Sequence, residues 1–270
     1  MKTISFRYGD ELIEFKIEGD VFYGDKKVLL LSDDNLIKNQ LWDLNGYSIF
    51  PFLDNESYSD LVIGVTKIVR NLAGINDAGF KLENYHHYVS DDVHLRVASD
   101  LKNCFPALTF PISIDKVINR VSEIIQIPTK ITPNHVGDGG AVFCLRIVRP
   151  RKPDNNPLHR DVWLDRLRNA VNIYAPIAGS NQKSSLGIVP GSHYWMESDI
   201  ERTVQGATVD GINYTVPAVT GSRFDLKIVR PSPKPNEFMI FSPYLIHGGG
   251  INQNNSVTRV SLEMRFWRKG

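Results

Sequence analysis

The chain has 270 residues, of which 42% are apolar and 23% are charged, and its formal net charge is +1. This is the composition of an ordinary globular protein, long enough for one large domain, and it excludes a low-complexity chain. A net charge near zero gives no reason to expect nucleic-acid binding. The longest apolar runs are far shorter than the roughly 20 residues that cross a bilayer, so we expect no membrane partner either.

The N-terminus and the cysteines indicate the cellular compartment. Residues 1–7 continue into a charged, alternating run and lack the apolar centre of a signal peptide. Cys104 and Cys144 each lie among apolar neighbours and form no Cys-x-x-Cys pair, which favours free thiols in a reducing compartment. A cytoplasmic protein is therefore expected, and the sequence carries no signal for an oligomeric state.

The first 31 residues alternate between apolar and polar side chains. Gly-Asp pairs at residues 9–10 and 24–25 punctuate the alternating runs. The apolar faces are Ile4, Phe6 and Tyr8 in the first run, and Ile13, Phe15 and Ile17 in the second. Alternation broken by turn residues predicts a small antiparallel β-meander over residues 1–31, either an edge extension of the core or a contact between subunits.

Residues 32–127 show helical periodicity. Apolar residues recur at spacings of three and four, and each run follows a residue suited to cap a helix. The predicted elements of this supporting segment are a helix from Ser32 to Gly46 carrying Leu36, Ile37, Leu41 and Leu44, a strand Tyr47–Phe50, and helices after Asp54 or Asn55, after Ser90 and after Ser113.

From residue 128 onward, strand-like runs separated by Gly, Pro and Asn replace the helices. The predicted strands are Ala141–Val148, Ala170–Tyr174, Leu186–Val189, Val216–Val219, Phe224–Ile228, Phe238–Phe241 and Arg259–Trp267. Many short strands after a helical half predict an α+β, mainly β fold: a jelly roll buttressed by helices on one face. We expect residues 1–270 to form a single domain, with 128–270 supplying most of the jelly-roll core.

The first candidate site residues are His159 and Asp161. Residues i and i+2 of an extended segment point to the same side, so this imidazole and carboxylate face one way while Arg160 faces the other. One more imidazole would complete a metal-binding face of two histidines and one carboxylate. Trp163 and Asp165, which follow, could orient a ligand imidazole. The alternative is a surface turn with a salt-bridged aspartate.

His247 can supply the second imidazole. It follows the apolar run Phe238–Phe241, precedes three glycines, and stands twelve residues before Arg259 at the head of an alternating strand. Two histidines and one aspartate without a cysteine suit a first-row ion such as Fe(II) and leave coordination positions open. Zinc is the competing ion, because three protein ligands and a water would serve a hydrolase.

The order His-x-Asp, a long gap, His, a short turn and Arg resembles the iron(II)- and 2-oxoglutarate-dependent dioxygenases, and within them the phytanoyl-CoA dioxygenase-like family. Leu44–Ile49 and Gly187–His193 are similar to two further stretches of that family, and the resemblance covers residues 33–270. It implies a double-stranded β-helix, which is the jelly-roll architecture, with iron(II) on the two histidines and the aspartate. It also implies that 2-oxoglutarate and dioxygen are co-substrates, that succinate and carbon dioxide are released, and that the substrate is hydroxylated.

Arg259 is the candidate tether for 2-oxoglutarate. A dicarboxylate that chelates a metal through one end needs a charge-assisted partner at the other, and arginine offers a bidentate one. If Arg259 faces the cavity, alternation places Ser261 on the same side. Asn172 and Tyr174 share the polar face of an earlier strand, and the family often has an aromatic residue at the position matching Tyr174. The alternative for Arg259 is a solvent-exposed strand arginine.

Substrate contacts are predicted at Arg146 and His193. Arg146 could reach the pocket or pair with an acid elsewhere. His193 is a rival third metal ligand that the family does not use, so a role in structuring its loop or contacting substrate is favoured. The cations of a basic loop over residues 149–157, with Lys183 and Arg223, could contact an anionic substrate, and the alternative is a solvated loop. On the first interpretation the substrate is a small polar, anionic or sugar-containing metabolite. Two other functions stay open: a zinc or manganese isomerase or hydrolase on a jelly roll, and a non-catalytic binding protein with the same fold.

Overall fold

The computed structural model describes residues 1–101, 110–131, 144–153, 156–248 and 250–270. The strands are β1 Lys2–Tyr8, β2 Glu11–Glu18, β3 Val21–Tyr23, β4 Tyr47–Pro51, β5 Thr129–Lys130, β6 Cys144–Val148, β7 Ala170–Ala178, β8 Gly187–Ile188, β9 Ile200–Thr203, β10 Ala207–Val209, β11 Ile212–Tyr214, β12 Val219–Ser222, β13 Glu237–Phe241, β14 His247–Gly248 and β15 Arg259–Arg268. The helices are α1 Asn55–Ala73, α2 Asp91–Leu101 and α3 Ile114–Ile125, with short 3-10 turns at Leu82–His87, Asp161–Trp163, Asp165–Leu167, Ser192–Tyr194 and Glu197–Asp199. Cys104 and the first residues of the predicted strand Ala141–Val148 lie outside the described residues.

The larger sheet has the strand order β4-β13-β7-β15, and β6 and β5 both pair with β15. All of these pairs are antiparallel, and β15 alternates as the sequence predicts. Its outer face packs among the helices through Val260, Leu262, Met264 and Phe266. The opposite, inner face carries its polar side chains, which are Arg259, Ser261, Glu263 and Arg265.

Helix α1 packs its apolar stripe against the outer face of this sheet. Asp54 caps the helix by accepting a hydrogen bond from the backbone N–H of Ser57 at 2.8 Å, and Gly74 ends it in the left-handed conformation. Burying one large aliphatic side chain contributes roughly 1.5–3 kcal/mol. The buried stripe includes Leu61, Val65 and Val69. This helix, α2 and α3 all begin where the capping residues predict.

A smaller sheet, in which β8 pairs with β14, faces the larger one. The metal motif lies beside this pair, where His159 and His247 form a backbone bridge with 2.9 Å hydrogen bonds in both directions. The space between the sheets holds the apolar cluster Tyr174, Leu186, Ile188, Met239, Phe241 and Leu245. Two antiparallel sheets around one interior, supported by helices, make a jelly roll, so the predicted fold class is confirmed.

The N-terminal hairpin covers the outer face of the smaller sheet. β1 and β2 pair as predicted, with Lys2 opposite Ile17, and β2 continues onto β10 and β11. The hairpin packs against Leu158 and Ile246, the neighbours of the two motif histidines. The next strand, β3, leaves this hairpin and pairs with β9.

The predicted helix from Ser32 to Gly46 is a succession of turns. Leu36 and Ile37 are buried in the core, but Leu41 and Leu44 are exposed, so only the first half of the predicted stripe has a surface to pack against. The side chain of Asn35 accepts a hydrogen bond from the N–H of Ile37 at 3.1 Å, a local bond that competes with a helix. Helical spacing in the sequence therefore did not produce a helix here, because only part of the apolar stripe packs against the core.

Two strand predictions also differ from the structure. Phe224–Ile228 is not a strand: Phe224 is half exposed, and Ile228 forms an isolated β-bridge with Tyr8. The predicted strand Val216–Val219 begins only at its last residue, as β12. None of the helices in the described part of the chain is long and apolar enough to cross a membrane.

Candidate metal centre

Three side chains that are far apart along the chain meet inside the jelly roll. His159, Asp161 and His247 are buried, and one ligand atom from each lies within 4.8 Å of the others. The backbone bridge between the two histidines places their ring centroids 4.4 Å apart. Asp161 begins a 3-10 turn, and its N–H donates to the carbonyl of Pro243 at 3.1 Å. The structure thus brings together the three residues that the sequence motif predicts.

Gly248 permits this close approach of the two histidines. A Cβ built at Gly248 would lie 2.5 Å from the carbonyl oxygen of Pro157. A larger residue directly after His247 would push the two motif segments apart. The glycine after the second histidine is therefore a packing requirement of the site.

Backbone carbonyls hold both imidazoles with Nε2 turned toward the aspartate. His159 Nδ1 donates to the carbonyl of Pro157 at 2.8 Å, and His247 Nδ1 donates to that of Leu245 at 2.9 Å. A proton on Nδ1 leaves Nε2 as an acceptor in the neutral ring. The two Nε2 atoms lie 3.2 and 3.9 Å from Asp161 Oδ1. Acceptor atoms that converge on one point in this way fit a metal cation.

The ionisation states of the site suit metal binding. Burial lowers the pKa of His247 to about 3, and the neighbouring His159 adds to the effect. Burial alone would raise the pKa of Asp161, but the guanidinium of Arg265 holds it well below its usual range. A neutral imidazole and a carboxylate are the forms that bind a metal ion.

Arg265 is a site residue that the sequence prediction missed. Its Nε donates to Asp161 Oδ2 at 2.9 Å and its Nη2 donates to Oδ1 at 3.1 Å, which makes a bidentate ion pair. The alternation that places Ser261 on the inner face places Arg265 there as well, so a signal existed. Arginine is frequent near the C-terminus, and in the sequence Arg265 looks no different from the exposed Arg268.

Asn172 also contacts the aspartate. Its Nδ2 donates to Asp161 Oδ2 at 2.8 Å, and the residue is buried. Its predicted inner face is confirmed, because Val171 and Ile173 pack among the helices. Through this bond the amide orients a carboxylate ligand, and the contact of Asn172 with 2-oxoglutarate stays a prediction.

Arg259 is buried in the interior with 1% of its surface exposed, which excludes a solvent-exposed strand arginine. Its Nη1 donates to the carbonyl of Ser184 at 3.2 Å, and its guanidinium lies 5.8 Å from the centroid of the Tyr174 ring. The Tyr174 hydroxyl lies 2.7 Å from Ser180 Oγ. Ser261 is buried on the same face of β15. Arg259, Ser261 and Tyr174 therefore share one interior, as the alternation predicts.

Arg146 faces inward and pairs with an acid. Its Nε lies 3.2 Å from Glu263 Oε2, and the two side chains are 15% and 14% exposed. Leu145 and Ile147 on either side pack among the helices. Glu263 lines the cavity beside the metal site, so Arg146 acts on that cavity through Glu263. The ion pair is one of the two predicted alternatives for Arg146, and the direct contact with substrate stays a prediction.

His193 lies outside the cluster of three ligands. Its buried ring donates from Nε2 to the carbonyl of Asp43 at 2.8 Å, and a Cβ on Gly46 would meet the ring at 2.7 Å. Burial lowers the pKa of His193 to about 4, so the ring is neutral at neutral pH. Of the two predicted roles, the structure shows the loop-structuring one: His193 holds the turns of residues 32–46 in place.

The residues around the first motif fix its backbone. Trp163 Nε1 donates to a carboxylate oxygen of Glu197 at 2.9 Å, and the fully buried Arg160 pairs with the other oxygen of that carboxylate. Asp165 is largely exposed and pairs with Arg168 at 3.3 Å. The prediction that Trp163 and Asp165 orient a ligand imidazole is therefore wrong. Trp163 binds Glu197 instead, and Asp165 binds Arg168.

The cations of the basic loop form surface ion pairs. Arg149 and Lys152 lie 2.6 and 3.9 Å from carboxylate oxygens of Asp91, and Arg151 lies 3.6 Å from one of Glu11. Exposed pairs of this kind contribute little stability. They do neutralise part of the loop's charge, which weakens the argument for an anionic substrate that rested on this loop.

A cavity of about 360 Å³, counting space open to solvent, adjoins the triad. Its lining includes His159, Asn172, Phe241, His247, Glu263 and Arg265. The inner-face charges described above are those of Arg146, Arg259, Arg265, Asp161 and Glu263. Three arginines against two carboxylates leave one positive charge before any metal ion is added. Such an interior favours an anionic ligand.

Comparison with known proteins gives similarity at the level of the fold. No protein-family model and no curated protein matches the chain. Among solved structures, AviO1 from Streptomyces viridochromogenes Tue57 is 14% identical, with a TM-score of 0.50 over 84% of this chain and 91% of AviO1. At this identity the similarity shows a shared fold. The fold and the site together define the class of protein: a jelly roll with a buried metal-binding face of two histidines and one aspartate.

Two other solved structures carry chemical descriptions. EctD from S. alaskensis, solved with 2-oxoglutarate and 5-hydroxyectoine, is 14% identical, with a TM-score of 0.49 over 93% of this chain and 84% of EctD. The non-heme monooxygenase ThoJ in its apo form is 12% identical, with a TM-score of 0.49 over 87% of this chain and 77% of ThoJ.

Proposed function

We propose that the chain is a non-haem iron(II)- and 2-oxoglutarate-dependent oxygenase that acts on a small molecule. The observation that carries the proposal is the convergence of two imidazole Nε2 atoms and one carboxylate oxygen in a buried interior lined by arginine. Three such ligands occupy one face of a six-coordinate ion and leave three positions. Three open positions suit 2-oxoglutarate, which chelates a metal ion through two atoms, together with dioxygen.

His159, Asp161 and His247 would hold the iron through their inward-facing nitrogen and oxygen atoms. When bound, iron(II) supplies the activation of dioxygen, coupled to the oxidative decarboxylation of 2-oxoglutarate to succinate and carbon dioxide. The chain itself supplies a fixed arrangement of ligands. Backbone carbonyls orient the two rings, while Arg265 and Asn172 orient the carboxylate.

Arg259 would bind the distal carboxylate of 2-oxoglutarate, with Ser261 and Tyr174 beside it. A buried guanidinium supports this role because a charge-assisted bidentate bond is strongest where water is excluded. The surplus positive charge of the interior, together with a divalent ion, offsets the two negative charges of the dicarboxylate.

The proposed substrate is a small polar, anionic or sugar-containing metabolite, hydroxylated at a C–H bond in the cytoplasm. A cavity beside the triad, lined by an inward-facing arginine and glutamate, supports a small polar ligand. A screen of amino acids, sugars, nucleotides and organic acids for stimulated succinate release tests the class. A product heavier by one oxygen atom supports hydroxylation, whereas an epimerised or desaturated product contradicts it and leaves the oxygenase intact.

The decisive experiment is an anaerobic titration of the purified chain with iron(II) and 2-oxoglutarate. We expect a weak visible metal-to-ligand charge-transfer band, absent in His159→Ala and weakened in Arg259→Ala. Admission of dioxygen should then release succinate slowly even without substrate. A chain that shows neither the band nor succinate is not a 2-oxoglutarate-dependent oxygenase.

The same preparation distinguishes the two other functions. A zinc or manganese isomerase or hydrolase would turn over without 2-oxoglutarate, and its Arg259→Ala variant would stay active. A non-catalytic binding protein would be free of metal after anaerobic purification and would take up no iron(II) on titration.

A further inference from the structure

The carboxylate of Asp161 is held asymmetrically. Oδ2 accepts hydrogen bonds from Arg265 Nε at 2.9 Å and from Asn172 Nδ2 at 2.8 Å. Oδ1 accepts one from Arg265 Nη2 at 3.1 Å and faces the imidazoles of His159 and His247. Both lone-pair directions of Oδ2 are therefore taken by protein donors, while Oδ1 is turned to the metal position.

This asymmetry limits how the aspartate can bind a metal ion. Carboxylates bind metals through one oxygen or through both, and the second mode would use up one more coordination position. Here a second bond through Oδ2 would have to displace two N–H donors, one of them from a charged group that is only 23% exposed. Charge-assisted bonds of this kind are about twice as strong as neutral ones.

The same guanidinium also weakens metal binding. Nη2 of Arg265 donates a hydrogen bond to Oδ1, the oxygen that would bind the metal ion. In addition, only the carboxylate of Asp161 separates the positive charge of the guanidinium from the metal position. Like charges separated by only a few ångströms repel strongly in a partly desolvated site. The geometry of Asp161 and the affinity of the site for metal are thus set by one side chain, with opposite effects.

We propose that Arg265 is a positioning residue that keeps Asp161 a one-oxygen ligand and weakens metal binding as a consequence. Through Nε, and with Asn172, it keeps Oδ2 out of the coordination; through Nη2 it competes with the ion for Oδ1. Three coordination positions then stay open for the co-substrates. The inference rests on the metal triad of the proposed function, but not on the identity of the co-substrate.

The test uses the full chain and cobalt(II), whose visible absorption depends on the number and geometry of its ligands. Arg265→Met removes both the charge and the donors. We expect it to bind cobalt(II) at least about tenfold more tightly than the wild type, with a changed visible spectrum. The control is Arg268→Met, at an exposed arginine of the same strand, which should match the wild type in both respects.

Arg265→Lys is the second variant and keeps the test usable if Arg265→Met does not fold. It keeps the charge but loses the two-pronged donor, so the spectrum should change without a comparable gain in affinity. Circular dichroism checks that each variant is folded. The inference is overturned if a folded Arg265→Met chain binds cobalt(II) no more tightly than the wild type, or if both variants keep the wild-type spectrum.

Failure of the proposed function would look different. A wild-type chain that binds no cobalt(II), or a His159→Ala variant that binds it as tightly as the wild type, would remove the metal triad and both proposals with it. A wild type that binds cobalt(II) through the triad, with Arg265 variants that match it, would remove only the role assigned to Arg265.

Discussion

The Nε2 atoms of His159 and His247 lie 3.2 and 3.9 Å from Asp161 Oδ1, and all three atoms turn lone pairs toward one another. Lone pairs at that distance are unfavourable partners, and Arg265 offsets part of the cost by donating to the carboxylate. The motif in the sequence identifies the ligand atoms. It does not identify the guanidinium that balances them, because that residue stands 104 positions from the aspartate.

Arg259 gives a test of co-substrate binding at the scale of one residue. Replacing it in Arg259→Gln should raise the dissociation constant for 2-oxoglutarate at least about tenfold, because a buried charge-assisted bond is lost. The measurement is the anaerobic titration of the charge-transfer band. Arg268→Gln, at the exposed end of the same strand, is the control and should bind like the wild type. Unchanged affinity in Arg259→Gln would show that another residue holds the distal carboxylate.

His193 gives a prediction about pH. Burial lowers its pKa to about 4, whereas an unfolded histidine has a pKa near 6.5. The unfolded state therefore binds the additional proton between these values. The contribution of His193 to stability is complete above about pH 6.5 and is lost as the pH falls toward 4. The full loss amounts to roughly 3 kcal/mol.

The measurement is the urea midpoint of the metal-free chain at pH 7, 6, 5 and 4.5. His193→Gln should be less stable than the wild type at pH 7, and this deficit should shrink steadily on acidification. His87→Gln, at an exposed imidazole, controls for the loss of one histidine from the chain. A His193→Gln deficit that stays constant across this pH range would contradict a neutral, buried ring in the native state.

At the scale of elements, the turns of residues 32–46 depend on one close contact. Gly46 has φ near +79°, and a Cβ there would come within 2.7 Å of the His193 ring. Gly46→Ala should therefore lower the free energy of unfolding by about 2–4 kcal/mol in all. One part of the loss is the cost of a left-handed backbone, and the other is overpacking against the His193 ring. Denaturant unfolding measures the loss.

The matched control for this substitution is Gly74→Ala. Gly74 has φ near +68°, but nothing lies within 4 Å of its would-be Cβ, so only the backbone cost of roughly 1 kcal/mol applies. Equal losses at the two positions would mean that the His193 ring moves aside freely. The turns would then not depend on that ring for their position.

At the scale of the whole molecule, metal binding should stabilise the fold. The triad draws on two segments of the smaller sheet that the unfolded chain does not hold together, so the ion binds the native state alone. At 100 times the dissociation constant it contributes about 2.7 kcal/mol. For a domain of this size the melting temperature should rise by roughly 5–10 °C.

Differential scanning calorimetry with cobalt(II), and with iron(II) under anaerobic conditions, measures this rise. A chelator should reverse it, and His247→Ala should show none. His87→Gln should keep it, since His87 is exposed and lies outside the cluster. An equal rise in His247→Ala would place the stabilising metal elsewhere on the protein.

The sequence by itself determined the features that depend on local chemistry. Two-residue spacing turned His159 and Asp161 to one side, alternation buried Val260 and Leu262 and turned Arg259 inward, and capping residues located helix α1. Each of these follows from backbone geometry and from the chemistry of neighbouring side chains. The strand-rich half predicted the jelly roll for the same reason.

Only the tertiary structure decided what depends on distant partners. It sent β3 to β9 and placed His193 under the turns near Gly46. It also left Leu41 without a core to cover, and it assigned Arg265 to Asp161. Local patterns do not specify such pairings, because each one is selected by the free energy of packing or ion pairing between segments that meet only in the folded chain.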